Sequence, residues 1–553
     1  MQKLLKIHFS NFLYYFLILF FITIFSFQCI FSMKQKSLTI DETGHAPAAI
    51  TEMYTGSHVL IHDHPPFFRY LLGAPLLLYK PNIPYYAKPW EGDHKRSARY
   101  RYGKLFYFRC NNDADKLIFT SRMVVVIFAI FLGLFVIYFS SQLFGKWAGL
   151  FALFIYIFDP NILAHSRIAK NDLFLTFFIF LTFVQLFNYL KESNRKNFLL
   201  LGIFLGLSLS SKYSALMLIP IFFIYFFISY FQKTKYFFFS IIKSLSASFL
   251  LLLIASILVI IFYNLFPFNQ KRFEMIFGKD KTYKEYKIPF IKKAKESWYN
   301  LSQGQNHLKT GHYSYLMGKT SLKGWLHYFP IAFSIKNPIP LLLFFLWSFI
   351  FFLKFHKNKK FIHFFLLSFV FLYFLIISIF GLNIGYRYLL PIHPCLAVYI
   401  SSLIPPLIKS KKIKLWILFC ILSLWYIYGT LKIYPHYLAY FNEFIGGPDK
   451  GSFYLVDSNL DWGQDLIGLK QYLDQNKIDS IYLAYFGTDD PEYRKISYKT
   501  FDPNNLKPGY YAISATRLRG VYHEMEKPDL FKKFWNLEPI AKIGYSIFIY
   551  KID

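Results

Sequence analysis

The chain has 553 residues, of which 55% are hydrophobic, a share that soluble domains rarely reach because a polar surface balances their apolar residues. The formal net charge of +31 would suit nucleic acid in a soluble protein, but much of the Lys and Arg lies in short loops between apolar runs. Composition therefore argues against a soluble protein and against a nucleic-acid partner.

Apolar runs close to the roughly 20 residues that cross a bilayer core recur along the chain. The first run follows Lys3 and Lys6 and is longer than the core of a signal peptide, so we expect an uncleaved first span. In chain order we expect about eleven spans, near residues 9–32, 118–141, 146–164, 173–190, 198–210, 214–231, 240–262, 328–353, 361–380, 388–408 and 414–431. The predicted fold class is an α-helical polytopic membrane protein.

The connections between these runs indicate how the chain crosses the membrane. Four short connections are basic and fall on the same side as the N-terminus, namely 191–197, 232–235, 354–360 and 409–414. By the positive-inside rule that side is the cytoplasm, so the longer segments lie on the outer face. These segments are 33–117, 264–327 and the tail from 432 to 553.

The tail differs in pattern from the rest of the chain, which we assign to a transmembrane domain over residues 1–431. Its runs 481–486, 510–514 and 543–550 have the pattern of strands. Gly and Pro at 446–448 and 507–509 supply turns between such elements. We therefore expect a small C-terminal α/β domain over residues 432–553.

Two adjacent carboxylates, Asp41 and Glu42, follow the first span, and His45 comes three residues later. Carboxylates at a membrane exit are costly unless they are solvated or used. One interpretation is a solvated loop start. The alternative is chemical, because a hydroxyl acceptor needs a base to take its proton as it attacks, and a carboxylate can serve.

The stretch 62–69 reads His-Asp-His-Pro-Pro-Phe-Phe-Arg. Its two prolines stop a helix and hold the residues before them extended. His62 and His64 could form a metal pair, but alternate histidines in a loop are a weak signal. Arg69 is either an interfacial cation or the kind of cation that a phosphate leaving group needs.

A third group lies in the predicted outer loop between spans three and four, where the stretch 159–172 contains Arg167, Lys170 and Asp172. A capped helix boundary would explain Asp172. It does not explain Arg167 and Lys170, because positive charge is normally sparse on the outer face.

Four further cations fall on that face: Arg122 at the start of span two, Lys212, Lys336 and Arg387. Lys336 has apolar flanks, and an ionisable residue in such surroundings is a functional candidate. Arg122 and Arg387 are either functional cations or interfacial anchors.

These pieces, in this order on one predicted face, resemble the type-C glycosyltransferases (GT-C), in particular the protein O-mannosyltransferases and bacterial homologues such as the lipid A aminoarabinose transferases. The family has an Asp-Glu pair in the first outer loop, matched by Asp41 and Glu42, and a downstream His-Pro-Pro-Leu-x-Lys stretch. Residues 64–69 match that stretch with Phe for Leu and Arg for Lys, and the second exchange is not neutral. Arg122 and Asp172 also match, and residues 440–465 look like the tail of a bacterial subgroup.

The resemblance implies a sugar donor on polyprenyl phosphate, presented at the outer leaflet of a bacterial inner membrane with the active site on the periplasmic face. Asp41 would be the base, and Glu42 would orient it or the acceptor. The donor phosphate would be held by cations from the set Arg69, Arg122, Lys336 and Arg387. Other substrate contacts would come from His45, His64, Arg167, Lys170 and Asp172.

The implied reaction is an inverting transfer of a hexose of mannose type. It requires no cofactor, because a phosphate leaves well once cations meet its charge, although a divalent metal stays open. The acceptor could be a protein, a lipid or a glycan, with membrane lipid as a further partner. Residues 457–465 also suggest a calcium loop, but Trp462 replaces the glycine of an EF-hand, so a loop bonded to its own backbone or to the acceptor fits better.

Two other functions share part of this pattern. A flippase or transporter of a lipid-linked sugar would also have many spans and intramembrane charges, but such proteins often show paired halves or broken helices in matching positions. We find no such pairing. A membrane scaffold would not need Asp41, Arg69 and Lys336 on one face.

Overall fold

The computed structural model describes residues 2–61, 63–85, 98–278, 312–355, 360–521 and 529–553. His62 and about half of the predicted outer segment 264–327 lie outside the described residues, as does the part 86–97 of the first outer segment. In chain order the helices are α1 Gln2–Met33, α2 Glu42–Thr55, α3 Phe67–Gly73, α4 Ala98–Lys104, α5 Ala114–Phe144, α6 Lys146–Ile157, α7 Pro160–His165, α8 Asn171–Lys191, α9 Arg195–Ser211, α10 Leu218–Thr234, α11 Phe237–Tyr263, α12 Gln270–Phe277, α13 Tyr328–Lys336, α14 Ile339–Phe355, α15 Lys360–Phe380, α16 Ile392–Ser401, α17 Ile404–Ser410, α18 Ile413–Lys432, α19 Pro448–Tyr454, α20 Leu466–Gln475 and α21 Ala515–Leu518.

Eight helices of the described residues are long and apolar enough to cross a membrane, or nine if a bent pair is counted as one span. The predicted polytopic helical fold is therefore confirmed, while the count of about eleven is not. The runs near 146–164 and 198–210 form the shorter helices α6 and α9, of 12 and 17 residues. The run near 328–353 forms α13 and α14, which meet at 104°. Pro160 and Pro338 follow the breaks, as expected for a residue that cannot continue a helix.

Small residues let the spanning helices approach each other closely. Gly202 and Gly206 lie four residues apart on α9 and face α11. A Cβ added to Gly202 would lie 2.7 Å from the side chain of Ile254, and one added to Gly206 would lie 2.6 Å from that of Leu258. Lipid tails are as apolar as the helix surface, so the hydrophobic effect does not drive helices together within a bilayer. Close van der Waals packing of this kind is therefore a main source of helix association.

The tail forms a five-stranded sheet with the order β4-β3-β5-β7-β6. With the hairpin that precedes it, the strands are β1 Ser314–Leu316, β2 Lys319–Ser321, β3 Ile481–Ala484, β4 Tyr498–Lys499, β5 Gly509–Ser514, β6 Ala541–Ile543 and β7 Ile547–Ile552. Strand β3 pairs in parallel with β4 and β5, whereas β7 pairs antiparallel with β5 and β6. Leu466, Leu469 and Leu473 of α20 pack on the sheet, which completes the small α/β domain.

One predicted strand is wrong in detail. The run 543–550 is a hairpin rather than a single strand, because β6 ends at Ile543 and β7 begins at Ile547. Gly544 and Tyr545 both adopt positive φ angles, of 58° and 63°, which turn the chain between the two strands.

The segment after α1 is fastened to the tail by backbone hydrogen bonds. The amide of Ser37 donates to the carbonyl of Gln464 at 2.9 Å, and the amide of Ile40 donates to the carbonyl of Trp462 at 3.1 Å. The amide of Leu38 donates to the carboxylate of Asp489 at 2.8 Å. These contacts place the start of α2 between the spanning helices and the tail domain.

Candidate active site

A cavity of about 630 Å³ lies where the first loop, the ends of several spanning helices and the tail meet. Charged and histidine side chains line one part of it: Asp41, Asp63, His64, Arg99, Lys170, Lys212, Arg387 and Asp457. Apolar side chains from α10, α15 and the turn before α10 form another wall, namely Leu216, Met217, Pro220, Ile376 and Phe380. The cavity therefore combines a charged end with an apolar wall built by membrane-spanning helices.

Asp41 lies at the charged end beside two cations. Lys170, which directly precedes α8, makes an ion pair with Asp41, and the Arg387 guanidinium lies 3.9 Å from the same carboxylate oxygen. The hydroxyl of Tyr100 donates to the other oxygen at 3.3 Å. Burial by itself raises the pKa of Asp41, but Lys170 and Arg387 outweigh it and hold the pKa well below its ordinary value. Asp41 is therefore ionised at neutral pH.

Asp172 lies within ion-pair distance of three cations. Lys212, which lies between α9 and the 3-10 turn Tyr213–Met217, donates to one oxygen of Asp172 at 2.7 Å. Lys170 and Arg387 each lie 3.8 Å from the other oxygen. In this cation group, defined as Lys170, Lys212 and Arg387, three positive charges face the two carboxylates Asp41 and Asp172.

Two donors of the cation group are not committed to hydrogen bonds. The Nε and Nη1 atoms of Arg387 are buried and make no hydrogen bond, and Oδ2 of Asp172 accepts none. Arg387 is carried by the 3-10 turn Tyr386–Leu389 and lines the cavity. A buried guanidinium with unused donors beside a cavity is suited to bind an anion, because charge-assisted bonds to phosphate are strong.

Aromatic rings form a support for the same cations. The tail contributes Trp462, whose ring centroid lies 4.5 Å from Nζ of Lys170 and 4.4 Å from Cζ of Arg387. Nζ of Lys212 lies 4.5 Å from the ring of Tyr388. These cation–π contacts hold the cations in place without consuming their hydrogen-bond donors.

The two predicted histidines lie close together near Asp41. The ring centroids of His45 and His64 are 6.0 Å apart, and both Nδ1 atoms are buried without a hydrogen bond. Burial lowers the pKa of His64 to about 4 and that of His45 well below its ordinary value. Both rings are therefore neutral at pH 7 and add no charge to the cavity. Among the described residues, no group of three or more His, Cys, Asp or Glu side chains could hold a metal ion.

Arg69, predicted to bind phosphate, is not brought to the cavity. Its guanidinium forms two hydrogen bonds to the carboxylate of Glu52, at 2.7 and 3.1 Å, and a third to the carbonyl of His64 at 2.9 Å. Both side chains of the pair are fully buried. This contact joins α2 to α3, and Arg69 does not line the cavity, so its phosphate-binding role stays a prediction.

Glu42 and Arg122 also pair with each other outside the cavity lining. Arg122 of α5 donates to both oxygens of Glu42, at 2.7 and 2.8 Å. It also donates to the carbonyls of Met33, Lys36 and Ser37, at 2.8 to 3.0 Å. Every one of these bonds fixes the path of the chain from α1 to α2, on which the position of Asp41 depends.

Two more predicted cations are buried away from the cavity. Lys336 donates to the carbonyls of Leu438 and Asn459, at 2.8 and 2.7 Å, and so ties the end of α13 to the tail. Arg167 lies against the ring of Tyr437, with 5.2 Å between Cζ and the ring centroid. Neither residue lines the cavity.

Two acidic side chains of the tail loop 457–465, Asp461 and Asp465, make contacts within the protein, whereas Asp457 lines the cavity. Asp461 accepts from the amide of Thr516 at 2.8 Å, and Asp465 makes an ion pair with Lys36. Burial raises the pKa of Asp461 to about 7, although its hydrogen bonds oppose the rise. The loop is thus bonded to neighbouring backbone, and its Trp462 is directed to the cavity.

Several cavity residues had no role in the sequence-based prediction. The sequence places Lys212 on the outer face as a cation but gives it no function. Arg99 lies on α4 and pairs with Asp63 through two contacts of 2.8 and 2.9 Å. No sequence pattern pointed to Arg99, because α4 lies within a long polar loop.

One family model matches part of the chain. Residues 114–261 match the family model described as Dolichyl-phosphate-mannose-protein mannosyltransferase, and no curated protein matches the chain. The matched segment contains Lys170, Asp172 and Lys212.

Similar solved structures include ArnT from Cupriavidus metallidurans in the apo state, at 12% identity and a TM-score of 0.47, with 96% of this chain and 97% of that chain covered. The same protein bound to undecaprenyl phosphate has 10% identity, a TM-score of 0.48 and the same coverage. The apo Archaeoglobus fulgidus oligosaccharyltransferase has 13% identity and a TM-score of 0.41, with 77% of this chain and 54% of that chain covered. The predicted resemblance is confirmed by the family model: residues 114–261 of this multi-pass membrane protein match a glycosyltransferase family, the protein mannosyltransferases.

Proposed function

We propose that the protein transfers a sugar from a polyprenyl phosphate donor to an acceptor hydroxyl, with inversion at the anomeric carbon. The observation that carries this proposal is the single cavity end in which the ionised Asp41 lies beside the cation group Lys170, Lys212 and Arg387. A base and a phosphate site are the two chemical parts that such a transfer needs.

The charge of the cation group suits this donor. A sugar attached to polyprenyl phosphate carries one negative charge, which the three cations attract; Asp41 and Asp172 pair with members of the cation group, and Asp457 also lines the cavity. The uncommitted Nε and Nη1 donors of Arg387 supply hydrogen bonds to phosphate oxygens. Lys212, held by Asp172, adds a second positive charge to the same place.

The apolar wall suits the lipid part of the donor. Leu216, Met217, Pro220, Ile376 and Phe380 all line the cavity, and all five belong to candidate spanning helices or to the turn that leads into one. A polyprenyl chain that lies along this wall would keep its apolar carbons out of water while its phosphate meets the cations.

The reaction then proceeds with balanced charge. The acceptor oxygen forms a bond to the anomeric carbon, the bond from that carbon to the phosphate oxygen breaks, and Asp41 takes the hydroxyl proton. The phosphate gains a second negative charge as Asp41 becomes neutral by taking the proton. The Lys170 ammonium then no longer pairs with a charged Asp41 and can stabilise the leaving phosphate. The cavity therefore stabilises the departing phosphate without a change in its total charge.

The family model supports mannose as the sugar, since its description names a mannosyl donor and a protein acceptor. We place the active site on the outer face of a bacterial inner membrane, because the short basic loops predict the opposite side to be cytoplasmic. A protein, a lipid or a glycan would serve as the acceptor. The chemistry of base and cations requires no cofactor and no metal.

The test is sugar transfer by the purified protein in detergent, with a labelled mannosyl polyprenyl phosphate and envelope extract as the acceptor. We expect wild type to release free polyprenyl phosphate and the Asp41→Asn variant to lose at least about a hundredfold of that rate, as is usual when a general base is removed. Asp474→Asn, which removes an exposed carboxylate of α20, is the matched control and should keep full activity.

A product with the anomeric configuration of the donor would refute the single displacement. A flippase of the lipid-linked sugar is the competing function, and it predicts that the donor binds but is never cleaved. Full activity of Asp41→Asn would show that Asp41 is not the base.

A further inference from the structure

A buried chain of hydrogen bonds lies beneath the turn that carries Arg387. His393 of α16 lies between two partners: its Nδ1 is 2.5 Å from a carboxylate oxygen of Asp159, and its Nε2 is 2.7 Å from the hydroxyl of Tyr386. The side-chain amide of Asn337 donates to the same hydroxyl at 2.7 Å. Tyr386 directly precedes Arg387 in the 3-10 turn, so the chain ends beside the proposed phosphate ligand.

The donors and acceptors of these hydrogen bonds are consistent with one proton arrangement, which runs from Asn337 to Asp159. Because Nδ1 of His393 faces a carboxylate, it carries the proton and donates to Asp159, which leaves Nε2 to accept from the Tyr386 hydroxyl. The hydroxyl oxygen then remains free to accept from Asn337. Asp159 is itself fixed, because its other oxygen accepts from the amides of Asn161 and Ile162 at the start of α7, at 2.8 and 3.3 Å.

The tail holds the other side of the same turn. The amide of Tyr386 donates to the side-chain oxygen of Asn459 at 2.8 Å, and the hydroxyl of Ser458 donates to the carbonyl of Ile384 at 2.8 Å. A Cβ added to Gly385 would lie 2.2 Å from the Ser458 hydroxyl oxygen, so the turn packs against the tail too closely for a side chain at this position.

Arg387 has little else to fix its position. Its nearest carboxylate contacts are 3.8 Å to Asp172 and 3.9 Å to Asp41, and its Nε and Nη1 make no hydrogen bond. Its guanidinium lies over the rings of Trp462 and Tyr388, at 4.4 and 5.8 Å, and with these contacts and the long ion pairs its location depends strongly on its backbone. A phosphate site loses strength when such a group is displaced by about an ångström.

We propose that Asp159, His393 and Tyr386 are positioning residues that set the Arg387 guanidinium at the phosphate of the donor. This inference rests on the proposed function, because it takes the cation group as the donor phosphate site. None of the three positioning residues lines the cavity, and they act through the backbone of the turn.

The experiment measures binding of undecaprenyl phosphate to the purified full-length protein in detergent, for wild type, Tyr386→Phe, Arg387→Ala and the double variant. We expect Tyr386→Phe to weaken binding about tenfold, since the loss of the hydroxyl and its two buried hydrogen bonds displaces a single ligand of the phosphate. In the Arg387→Ala background the same change should have no further effect on affinity, because Arg387 is the group through which it acts.

Asp159→Asn is the second variant, and it should reproduce the effect of Tyr386→Phe. An amide at this position presents N–H to Nδ1 of His393, which forces the other tautomer and opposes the Tyr386 hydroxyl. Tyr225→Phe is the matched control, because it removes a buried hydroxyl that also has two partners, Phe365 and Ser368, in α15. Thermal unfolding of each variant separates loss of folded protein from loss of affinity.

The kinetic expectation for Tyr386→Phe and Asp159→Asn is a higher donor KM together with a lower kcat, because Arg387 meets the phosphate both in the bound donor and as it departs, and neither change should appear in the Arg387→Ala background. Equal fold-losses of affinity for Tyr386→Phe in the wild-type and Arg387→Ala backgrounds would overturn the inference, and so would wild-type affinity in Tyr386→Phe. If wild type fails to bind undecaprenyl phosphate, or if Arg387→Ala binds it normally, the proposed function of the cation group fails first.

Discussion

Replacement of Lys170 by methionine should expose Asp41 to titration. In the present structure Lys170 and Arg387 hold the pKa of Asp41 well below the ordinary carboxyl value of about 4, with Lys170 as the stronger of the two. Methionine keeps the length of the side chain and its packing against Trp462 but removes the charge. The pKa of Asp41 in Lys170→Met must therefore rise.

The size of the rise follows from the ion pair. Two unit charges about 4 Å apart at an effective dielectric constant of about 20 interact by roughly 4 kcal/mol, which corresponds to about 3 pKa units. Arg387 stays beside Asp41, and water will enter the space around the missing charge, so part of this stabilisation is replaced. We expect a rise of about one to two pKa units.

The assay is the pH profile of kcat/KM for release of polyprenyl phosphate, which reports the free enzyme. A base must be deprotonated, so activity falls as the pH drops through the pKa of Asp41, and a higher pKa moves this acid limb to higher pH. Lys470→Met is the control, since it breaks an exposed ion pair to Asp474 on α20 and should leave the limb in place. An acid limb that does not move in Lys170→Met would show that Asp41 is not the base or that Lys170 does not govern it.

Three further outcomes are expected. Arg69→Leu should lower the unfolding temperature and the yield, because the buried Glu52 loses its guanidinium partner and keeps only the His58 ring, 3.5 Å away, at a cost of up to roughly 3–5 kcal/mol. Donor KM per folded molecule should stay within about twofold of wild type. Burial raises the pKa of Asp461 to about 7, so the folded tail must give up this proton as the pH rises from about 4 through 7 and becomes less stable over that range. In Asp461→Asn, which has no such proton to lose, limited proteolysis of the tail should depend less on pH. In a background without other cysteines, Lys116→Cys and Asn194→Cys should react with an impermeant maleimide from opposite sides of the membrane, and labelling from one side would refute the orientation.

Much of the architecture could be predicted because a bilayer imposes few solutions. Long apolar runs must become helices, and the alternation of spans then assigns each loop to one face. Asp41, the pair Lys170 and Asp172, and Arg387 come from three distant parts of the sequence and meet at the cavity. Their shared face was predictable from the order of spans, whereas their contacts were not.

The same reasoning could not tell a cation used for folding from one that faces a ligand. Arg69 has the position of the family lysine, yet the structure pairs it with Glu52, and only the packing of α2 on α3 brings those residues together. Lys336 was singled out for its apolar flanks, and its charge is instead met by two backbone carbonyls of the tail. A sequence shows that a buried charge needs a partner but not which partner it finds.

The position of Trp462 could not be predicted from the sequence, because it depends on contacts between distant segments. Its role depends on the hydrogen bonds that fasten residues 37–40 to residues 462–464, more than 400 positions away. No local periodicity encodes that contact. The Trp462 ring supports both Lys170 and Arg387, so the tail helps to build the cavity rather than only covering it.

Glu42 shows why adjacent carboxylates need not share a role. Its two oxygens accept five hydrogen bonds, from Arg122, from the amide of Ala169 and from both the amide and the hydroxyl of Thr39. No lone pair is left for an acceptor hydroxyl to use. Burial raises the pKa of Glu42, but the Arg122 guanidinium and these donors hold it below its ordinary value.

Glu42→Gln therefore tests whether this residue anchors the loop or takes part in the chemistry. In Glu42→Gln the side-chain NH2 group would point at one of these hydrogen-bond donors. The substitution also leaves the buried Arg122 without its counter-charge, at a cost of roughly 3–5 kcal/mol. As an anchor, Glu42 predicts a lower unfolding temperature and a loss of activity that parallels the loss of folded protein. Glu274→Gln on α12 is the control and should melt like wild type. A variant that melts like wild type but loses kcat at constant donor KM would instead place Glu42 in the reaction, because only an interaction made in the transition state has that signature.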